Sequence, residues 1–478
     1  MNPSGPEEPV PGWAHQLVGW SEPNVAEEKY VGHYYNDMTD KFINRAGLSC
    51  AMKSEEIIEV LNAWNFWKRD YDVGIPREKY LALLERFVKT QQVVGITGVR
   101  RSGKSTLLKQ FIKRQIDSGR SRNSFLYVNF EEPRFAGYRS PEFLQQIYEA
   151  YLEIVGPKEK PYLLLDEVQN IPEWERFVRG LHEKKEAHIL VSGSTSALMS
   201  KELGTLLTGR WLEVRVSPLD FPEFLLFRQI KIQDKLDLMD KKVLIRRLLR
   251  EYLEFGGFPL VALQEEKAEI LGRYFDDIMG RDITARNRIR SVDKVKALAT
   301  HYLTSFSSPI SYRKIARTIG LSLDSVERFS AYMEEAYLLF FVPKFSYSLR
   351  EQGANPRKVY GIDLGLINQV SFRFSDNLGR LYENLVFLSL LKDGKNVYYY
   401  RDRRECDFVI KEGKRVTQAI QVSYALEANR EREIQGLCAA MDELNLREGL
   451  IISDSLEEEM KVSGKVIRIV PLWKWLLT

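Results

Sequence analysis

The sequence predicts an α/β protein that is built on a mainly parallel sheet and continues into further helical and mixed α/β modules. Between residues 93 and 217, short apolar segments alternate with amphipathic helical patterns. Such alternation is typical of parallel strands that are covered by helices on both faces. The chain of 478 residues is also too long for one hydrophobic core, so we expect about three domains or more.

The strands predicted for this sheet are short and apolar, and helix signals lie between them. Ser140 and Pro141, for example, form an N-cap and a first-turn proline. The predicted strands are Val93–Ile96, Phe125–Phe130, Tyr162–Leu165, Ala187–Val191 and Trp211–Val216. Ligands of open parallel sheets bind beyond the carboxyl ends of the strands, so the functional site is expected at that edge.

A phosphate-binding loop follows the first predicted strand and precedes a helical pattern. Its Gly-x-x-x-x-Gly-Lys-Ser spacing predicts backbone N–H groups that converge on an anion. Lys104 is expected to reach the β- and γ-phosphates of ATP, and the Ser105 hydroxyl to ligate Mg²⁺. The predicted ATP-binding residues are Gly98, Val99, Arg100, Arg101, Ser102, Gly103, Lys104, Ser105 and Thr106. The motif therefore predicts a P-loop NTPase fold.

Two acids at the end of the strand Tyr162–Leu165 supply the second half of the predicted nucleotide site. Asp166 is expected to hold the Mg²⁺ shell beside the phosphate loop. Glu167 is placed to orient and deprotonate the attacking water. Acids after a strand can also be simple helix N-caps, but together with a complete phosphate loop they favour ATP hydrolysis.

Further polar side chains near the strand ends are candidates for catalysis. Ser194, with Ser192 as a second choice, is expected to sense the γ-phosphate, although exposed turn serines would look the same. Arg210 is a candidate for stabilising transition-state charge in its own site or a neighbour's, and a structural ion pair is the alternative. Arg100 and Arg101 are expected to contact another domain or subunit.

The combined motifs resemble the archaeal ATPase family, AAA-like P-loop proteins related to the signal-transduction (STAND) ATPases. The matching segments are Gly98–Ser105, Leu165–Glu167, Ser192–Ser194, Thr208–Arg210, Pro218–Phe224, Tyr252–Pro259 and Arg281–Ile283. Gly257–Leu260 resembles the lid motif of the signal-transduction ATPases. The resemblance implies that Pro259 contacts the adenine base and that the lid distinguishes ATP from ADP. The alternative is that Gly-Gly-Phe-Pro is simply a turn that ends a helix.

The C-terminal third resembles the restriction-endonuclease-like PD-(D/E)XK fold with which members of this family often end. The resemblance implies an acid at Asp407, with Glu383 and Glu405 assisting. Gln421-Val422-Ser423 stands where acid-x-lysine is expected, which predicts a vestigial nuclease site at Glu383, Asp407 and Gln421. A cation would have to enter that site from elsewhere, and the candidates are Lys411, Lys414 and Arg401.

The predicted order of domains follows from these motifs. A winged helix is expected from helix Tyr312–Ile319, the turn at Gly320, helix Leu323–Tyr337 and strand Leu338–Phe341. Its second helix is mainly acidic, so a role as lid or linker is favoured over DNA reading. The predicted domains are an N-terminal extension with a flexible start (1–67), an AAA-like ATPase domain (68–225), a helical lid (226–290), the winged helix (291–345) and the endonuclease-like domain (346–478).

The distribution of charge says more about a nucleic-acid partner than the net charge, which is only +4. Residues 271–317 carry ten Lys or Arg against four acids, a net +6, which fits either a solvated helical face or contacts with a nucleic-acid backbone. Three widely spaced cysteines and the absence of a long apolar run predict a cytoplasmic protein without disulfides.

The favoured function is ATP hydrolysis coupled to binding or remodelling of nucleic acid, DNA above all, by a homo-oligomer. A second hypothesis is a nucleotide switch that controls assembly in signalling or defence. A third and less favoured one is an ATP-regulated nuclease.

Overall fold

The computed structural model describes residues 52–196, 210–371 and 378–478. Its first sheet has five strands in the order β2-β3-β4-β1-β5, and every pairing is parallel. The strands are β1 Val93–Thr97, β2 Phe125–Asn129, β3 Tyr162–Asp166, β4 His188–Gly193 and β5 Trp211–Arg215. The predicted parallel sheet is confirmed. Because β4 lies between β1 and β3, the phosphate loop and the Asp166 strand flank the end of β4.

Helices cover this sheet, and the chain before it covers one edge. The helices are α1 Ser54–Asn62, α2 Glu78–Val88, α3 Lys104–Asp117, α4 Pro141–Ala150 and α5 Trp174–Lys184. Ser140 caps α4 by accepting the Phe143 N–H, as its sequence predicted. Beyond α1, Asn65 exchanges two hydrogen bonds with the backbone of Tyr127 on the edge strand β2 (2.7 and 2.8 Å), and this satisfies peptide groups that an edge strand leaves unpaired.

The predicted N-terminal extension thus has two parts. Residues 1–51 lie outside the described residues, whereas residues 54–67 pack on the nucleotide domain. Trp67, for instance, donates its indole N–H to the Phe125 carbonyl (2.7 Å).

A run of helices follows the sheet and carries the predicted lid. These helices are α6 Phe221–Phe227, α7 Lys235–Asp240, α8 Lys242–Phe255, α9 Pro259–Leu263 and α10 Lys267–Asp277, and α10 continues as a π-helix over Ile278–Ala285. Their apolar faces share one buried core with Val99 of the phosphate loop. The Val99 side chain therefore packs into the lid, and only its backbone faces the site.

A small helical module with a three-stranded antiparallel sheet comes next, with strand order β6-β8-β7. Its elements are α11 Val292–Thr304, β6 Ser308–Ile310, α12 Tyr312–Ile319, α13 Leu323–Glu335, β7 Leu339–Val342, α14 Leu349–Ala354 and β8 Arg357–Gly361. Both predicted helices and the strand after them are present. The predicted boundary at residue 345 falls inside this sheet, because β8 pairs with β6 and with β7.

The C-terminal part is a six-stranded mixed sheet with the order β13-β14-β12-β11-β10-β9. Its strands are β9 Asn396–Arg401, β10 Glu405–Glu412, β11 Arg415–Ser423, β12 Glu448–Ser453, β13 Glu458–Val462 and β14 Lys465–Pro471. Its helices are α15 Leu364–Val370, α16 Leu378–Lys392, α17 Leu426–Glu443 and α18 Leu472–Trp475. Cys406 and Cys438 are free thiols. No helix in the described ranges is long and apolar enough to cross a membrane.

Candidate functional site

The phosphate loop connects β1 to α3 and presents backbone donors at the carboxyl edge of the sheet. Gly98 has φ = 140°, and a Cβ there would lie 2.1 Å from the Val216 carbonyl oxygen, so only glycine fits this turn. No side chain caps the first turn of α3. The N–H groups of that turn, from Gly103 to Thr106, are therefore available to an anion.

Lys104 is buried at the centre of the loop without a committed partner. Its ammonium donates to the Gly98 and Val99 carbonyls (3.0 and 3.1 Å). The nearest carboxylate oxygen is Glu167 Oε1 at 3.9 Å. Weak, neutral partners of this kind can be exchanged for phosphate oxygens without leaving a buried charge unpaired.

Asp166 ends β3 and faces the loop from across β4. It accepts hydrogen bonds from the Tyr127 hydroxyl (2.6 Å) and from the Ser192 hydroxyl. The side chain is buried, and its oxygens, with the Ser105 hydroxyl, are the hard ligands that suit Mg²⁺. The hydroxyls of Ser102 and Thr195 are buried without a hydrogen-bond partner among the described residues. These unpaired groups and the open loop donors fit a magnesium-bound nucleotide.

Glu167 is held in an uncommon backbone conformation, with φ = 54°. Its N–H donates to the Ser192 hydroxyl (3.2 Å), and its carboxylate accepts from the Gln169 amide. Burial raises the pKa of Glu167, and the nearby Lys104 ammonium opposes that shift. A carboxylate with a raised pKa is a better proton acceptor, as a general base requires.

Ser194 connects the sheet to the lid. Its hydroxyl donates to Asp282 Oδ1 (2.7 Å), and Asp282 also accepts two hydrogen bonds from Arg100 (2.9 and 3.2 Å). Arg101 pairs with Asp277 of the same lid segment (3.3 Å). The two loop arginines thus contact another part of the chain, as expected for them. Asp282 lies in the segment Arg281–Ile283, which resembles the family, but nothing in that segment predicted its hydrogen bonds with Ser194 and Arg100.

The Gly256-Gly257-Phe258-Pro259 turn places the lid beside the loop. A Cβ on Gly103 would lie 3.8 Å from Pro259 Cγ, so the proline ring borders the loop. The Gly257 N–H donates to Asp363 Oδ2 (2.7 Å). Gly256 has φ = 73°, and a Cβ there would come within 2.1 Å of Asp363 Oδ1. The paired glycines therefore serve this close approach to a buried carboxylate.

Arg210 does not reach the nucleotide site of its own chain. It directly precedes β5, so it lies at the amino edge of the sheet, opposite the phosphate loop. Its guanidinium pairs with Glu183 (2.9 Å), and both side chains are about half exposed (45% and 50%). This position does not fit stabilisation of transition-state charge in the site of its own chain. That Arg210 does so in a neighbouring subunit stays a prediction. Thr208 and Gly209 of the same motif lie outside the described residues.

Two arginines near the site were missed or assigned elsewhere by sequence reasoning. Arg286 follows Asp282 by about one helical turn. Burial lowers the pKa of Arg286, while Asp282, Glu335 and Glu167 oppose that shift. Arg77, at the start of α2, donates to the Ser102 carbonyl of the loop (3.0 Å). No motif singles out Arg77 among the 70 Lys and Arg of the chain.

A second buried lysine lies in the C-terminal part, at the predicted vestigial nuclease site. Lys358, on β8, places its ammonium 3.0 Å from Glu383, 2.7 Å from Glu405 and 3.1 Å from Asp407. We call these four residues the carboxylate–lysine cluster. The cation at the centre of the cluster is therefore Lys358 and not Lys411 or Lys414, and Arg401 reaches only Glu405, at 3.8 Å. Lys358 belongs to the sheet of the small module. In the sequence it lies well before β11, the strand in which the motif would place the lysine.

Gln421 occupies the position of the missing acid and is itself paired. Its amide oxygen accepts the Asp407 N–H (3.2 Å), and its NH₂ donates to Glu433 (2.6 Å). A cavity of about 580 Å³ lies over the cluster, and its rim includes Arg380, Arg403 and Arg404. No group of three or more His, Cys, Asp or Glu in the described ranges is arranged to hold a metal ion.

The parallel sheet, the phosphate loop and the acids at its edge define an AAA-type P-loop domain. The model of an AAA domain matches residues 90–225. Two models, each described as a domain of unknown function (DUF8612 and DUF4143), match residues 246–377 and 378–475.

An uncharacterized protein of Methanocaldococcus jannaschii, MJ1544, is 36% identical over 405 residues, which cover 80% of this chain and 88% of the relative. The chain therefore belongs to the same family as that archaeal protein.

Other similarities are weaker. An uncharacterized protein of Haemophilus influenzae is 29% identical over 84% of this chain and 98% of its own length. Among solved structures, the Walker-type ATPase PABY2304 of Pyrococcus abyssi aligns with 62% of this chain and 96% of its own, at 13% identity and a TM-score of 0.40. The AAA part of the sequence resemblance is thus supported by the matching domain model, and the endonuclease-like part stays a prediction.

Proposed function

We propose that the protein binds ATP with Mg²⁺ and hydrolyses it. The observation that carries this proposal is the convergence of Lys104, Asp166 and Glu167 on the open end of the phosphate loop. In this proposal, Lys104 leaves its two carbonyl partners for the β- and γ-phosphates. Asp166 and Ser105 hold the metal, which supplies charge neutralisation at the phosphates when bound.

Glu167 is proposed as the base that orients and deprotonates water, because it is buried and has a raised pKa. Ser194 and Asp282 would then report the γ-phosphate to the lid, because both lie on the hydrogen-bonded path between β4 and the π-helix. Pro259 borders the loop and is proposed to contact the adenine base. Arg286 is a candidate for a cation that acts within the same chain, and Arg210 for one that acts on a neighbouring subunit.

We further propose that hydrolysis is coupled to nucleic acid, DNA above all, in a homo-oligomer. The small module has the element order expected of a winged helix, and basic residues on and next to it are exposed. They are Arg288, Arg290, Lys294, Arg313, Lys314 and Arg317. The arginine rim of the C-terminal cavity offers a second set of phosphate contacts.

The test is ATP turnover with and without single-stranded DNA, duplex DNA and RNA, at low and at physiological salt, together with particle mass. Stimulation that falls steeply with salt is expected. Turnover that no nucleic acid changes, with no retention at low salt, would refute the coupling but leave the ATPase proposal intact. Loss of turnover in Glu167→Gln is the control for a contaminating ATPase.

A nucleotide switch is the second candidate, favoured by the lid contacts. The hydrogen bond from Arg100 to Asp282 joins the phosphate loop to the lid. The hydrogen bond from Gly257 to Asp363 joins the lid to the chain that follows β8. A switch predicts slow turnover and different particle masses in ATP and ADP, whereas a motor on nucleic acid predicts stimulated turnover. The same two measurements therefore separate them.

A nuclease is the third candidate, and the carboxylate–lysine cluster bears on it. Lys358 supplies the cation that the strand motif lacks, but it is already paired with three carboxylates. Metal-dependent cleavage that disappears in Asp407→Ala and persists in Glu167→Gln would support this candidate.

A further inference from the structure

A line of buried and half-buried charges joins the C-terminal part of the chain to the phosphate loop. Lys392 is the last residue of α16, and its ammonium lies 2.7 Å from Glu223 Oε2 and 2.5 Å from Asp220 Oδ2. Asp220 and Glu223 form a capping box at the start of α6. The C-terminal part thus supplies a cation to the segment that leads from β5 into the lid.

Arg77 continues this line to the loop. Its guanidinium binds both carboxylate oxygens of Glu223 (2.9 and 2.7 Å). The remaining donors reach the carbonyls of Ser102 (3.0 Å) and Ser217 (2.9 Å). Only 4% of the Arg77 side chain is exposed, so these partners, and not water, determine where the guanidinium lies.

Cations and carboxylates alternate along this line, and its central pair, Arg77 and Glu223, is buried. Although burial opposes it, Arg77 and Lys392 lower the pKa of Glu223 to about 2. Glu223 is therefore ionised under ordinary conditions. Lys79 also lies 3.8 Å from Asp220, but 70% of its side chain is exposed, so water weakens that pair. Without Lys392, Glu223 would keep Arg77 as its charged partner, and the stronger attraction would draw the guanidinium away from the neutral Ser102 carbonyl.

We propose that Lys392 is a positioning residue for the phosphate loop, acting through Glu223 and Arg77, so that the C-terminal part of the chain sets nucleotide affinity. The inference rests on the proposed function, because it assumes that the loop binds nucleotide. By reciprocity, nucleotide binding stabilises the position of α16. A target that moves α16 would accordingly change nucleotide affinity without touching the nucleotide site.

The test compares the variants Lys392→Met and Lys395→Met, provided that both fold as the wild type does. Lys395 lies three residues further on, but it pairs with Glu412 on the C-terminal sheet and not with the charge line. The dissociation constants for MgADP and for a non-hydrolysable MgATP analogue are measured by calorimetry. We expect an increase of about tenfold in Lys392→Met and no change in Lys395→Met. Lys392→Arg keeps the charge and should restore most of the affinity.

A second readout is hydrogen exchange of residues 378–392 with and without nucleotide. Nucleotide should slow exchange in the wild type and in Lys395→Met, but not in Lys392→Met. A merely structural ion pair would lower thermal stability in Lys392→Met and leave both readouts as in the wild type. If Lys392→Met does not fold, Glu223→Gln, which keeps the shape and removes the charge, is measured in its place with the same expectation.

The outcomes separate the two proposals. Wild-type protein that binds no nucleotide would overturn the proposed function and this inference with it. Wild-type binding with equal dissociation constants in Lys392→Met, or in its substitute, would overturn the inference alone.

Discussion

Lys104, at the start of α3, and Lys358, on β8, are both buried lysines, but their surroundings are opposite. Lys104 donates to two neutral carbonyls, and the nearest carboxylate is 3.9 Å away. Lys358 is within 3.1 Å of three carboxylates. A buried ammonium held by neutral carbonyls can move to a phosphate. One held by carboxylates cannot, because its departure would leave those carboxylates without a counter-ion. The difference separates a lysine poised for a ligand from one that stabilises the protein.

The largest expected effect comes from Lys104→Ala. Since the ammonium is proposed to contact the transferred phosphate, kcat/KM for ATP should fall by about 10³-fold or more. Thermal stability should change less than turnover, because the ammonium donates only to two carbonyls and its one ion pair, with Glu167, is long at 3.9 Å. Lys113→Ala, on the same helix and paired with Asp117 at the surface, serves as the control in steady-state assays. Normal turnover in Lys104→Ala would contradict the assignment.

Glu167→Gln should lower kcat by about 10²–10³-fold and leave ATP binding intact. The side-chain amide oxygen can still accept from Gln169, and the backbone N–H contact with Ser192 is unaffected, but the amide cannot accept a proton. Single-turnover kinetics and equilibrium binding of MgATP measure the two effects separately. A variant that binds ATP tenfold more weakly and hydrolyses it at the normal rate would point to a structural role for this acid.

Lys358→Met should reduce the free energy of unfolding by about 3–5 kcal/mol, because the buried Glu383 and Asp407 and the half-buried Glu405 lose their shared counter-ion. Chemical denaturation checks this, with Lys411→Met as a control on the neighbouring strand β10. The affinity for MgADP should stay close to the wild-type value in whatever fraction remains folded. A stable Lys358→Met protein would break the contrast between the two lysines.

The pH dependence of stability should report the same cluster. Burial raises the pKa of Glu383 to about 7, against the effect of Lys358. Its protonated form is therefore favoured in the folded state. The stability from this group is fully present below pH 4.5, the ordinary value, and is lost as the pH rises to about 7. Glu383→Gln should remove this loss, which amounts to about 1–3 kcal/mol.

Melting temperatures of wild type and Glu383→Gln between pH 4.5 and pH 7.5 test the expectation as a difference. The buried Asp363, whose pKa burial raises to about 6, titrates in both proteins and cancels. Parallel curves would show that Glu383 does not titrate in this range.

The smallest expected effect is that of Arg210→Ala. Its half-exposed ion pair with Glu183 contributes little, so the free energy of unfolding should change by about 0.5 kcal/mol or less. Turnover of dilute monomer should equal that of the wild type, because Arg210 lies at the far edge of the sheet. A loss of turnover in the monomer would place Arg210 in its own site, against the geometry described here.

The nucleotide half of the molecule was predictable because its signals are local. Gly98 to Ser105 is one continuous motif, and Asp166 and Glu167 end an apolar strand that the alternation of elements already places beside it. The five predicted strands of the parallel sheet are present, with bounds within two residues of those expected. A motif made of adjacent residues can be identified from a single sequence, because its spacing alone predicts the local backbone structure.

The remaining features depend on contacts between distant residues. Lys358 and Asp407 are 49 positions apart, and Arg77 and Glu223 are 146 apart. No spacing rule links such pairs, and single lysines and arginines are too frequent to attract notice. The boundary predicted at residue 345 fell within the small sheet for the same reason, because β8 follows its partner strand β7 only after the helix α14.

The strand β8 also limits how this protein could be taken apart or recombined. A fragment that begins at residue 378, where the two C-terminal domain models meet, would contain Glu383, Glu405 and Asp407 without Lys358. Fusing that fragment to a different ATPase would transplant the acids and leave their cation behind. Exchange of the C-terminal part between proteins therefore has to carry β8 along.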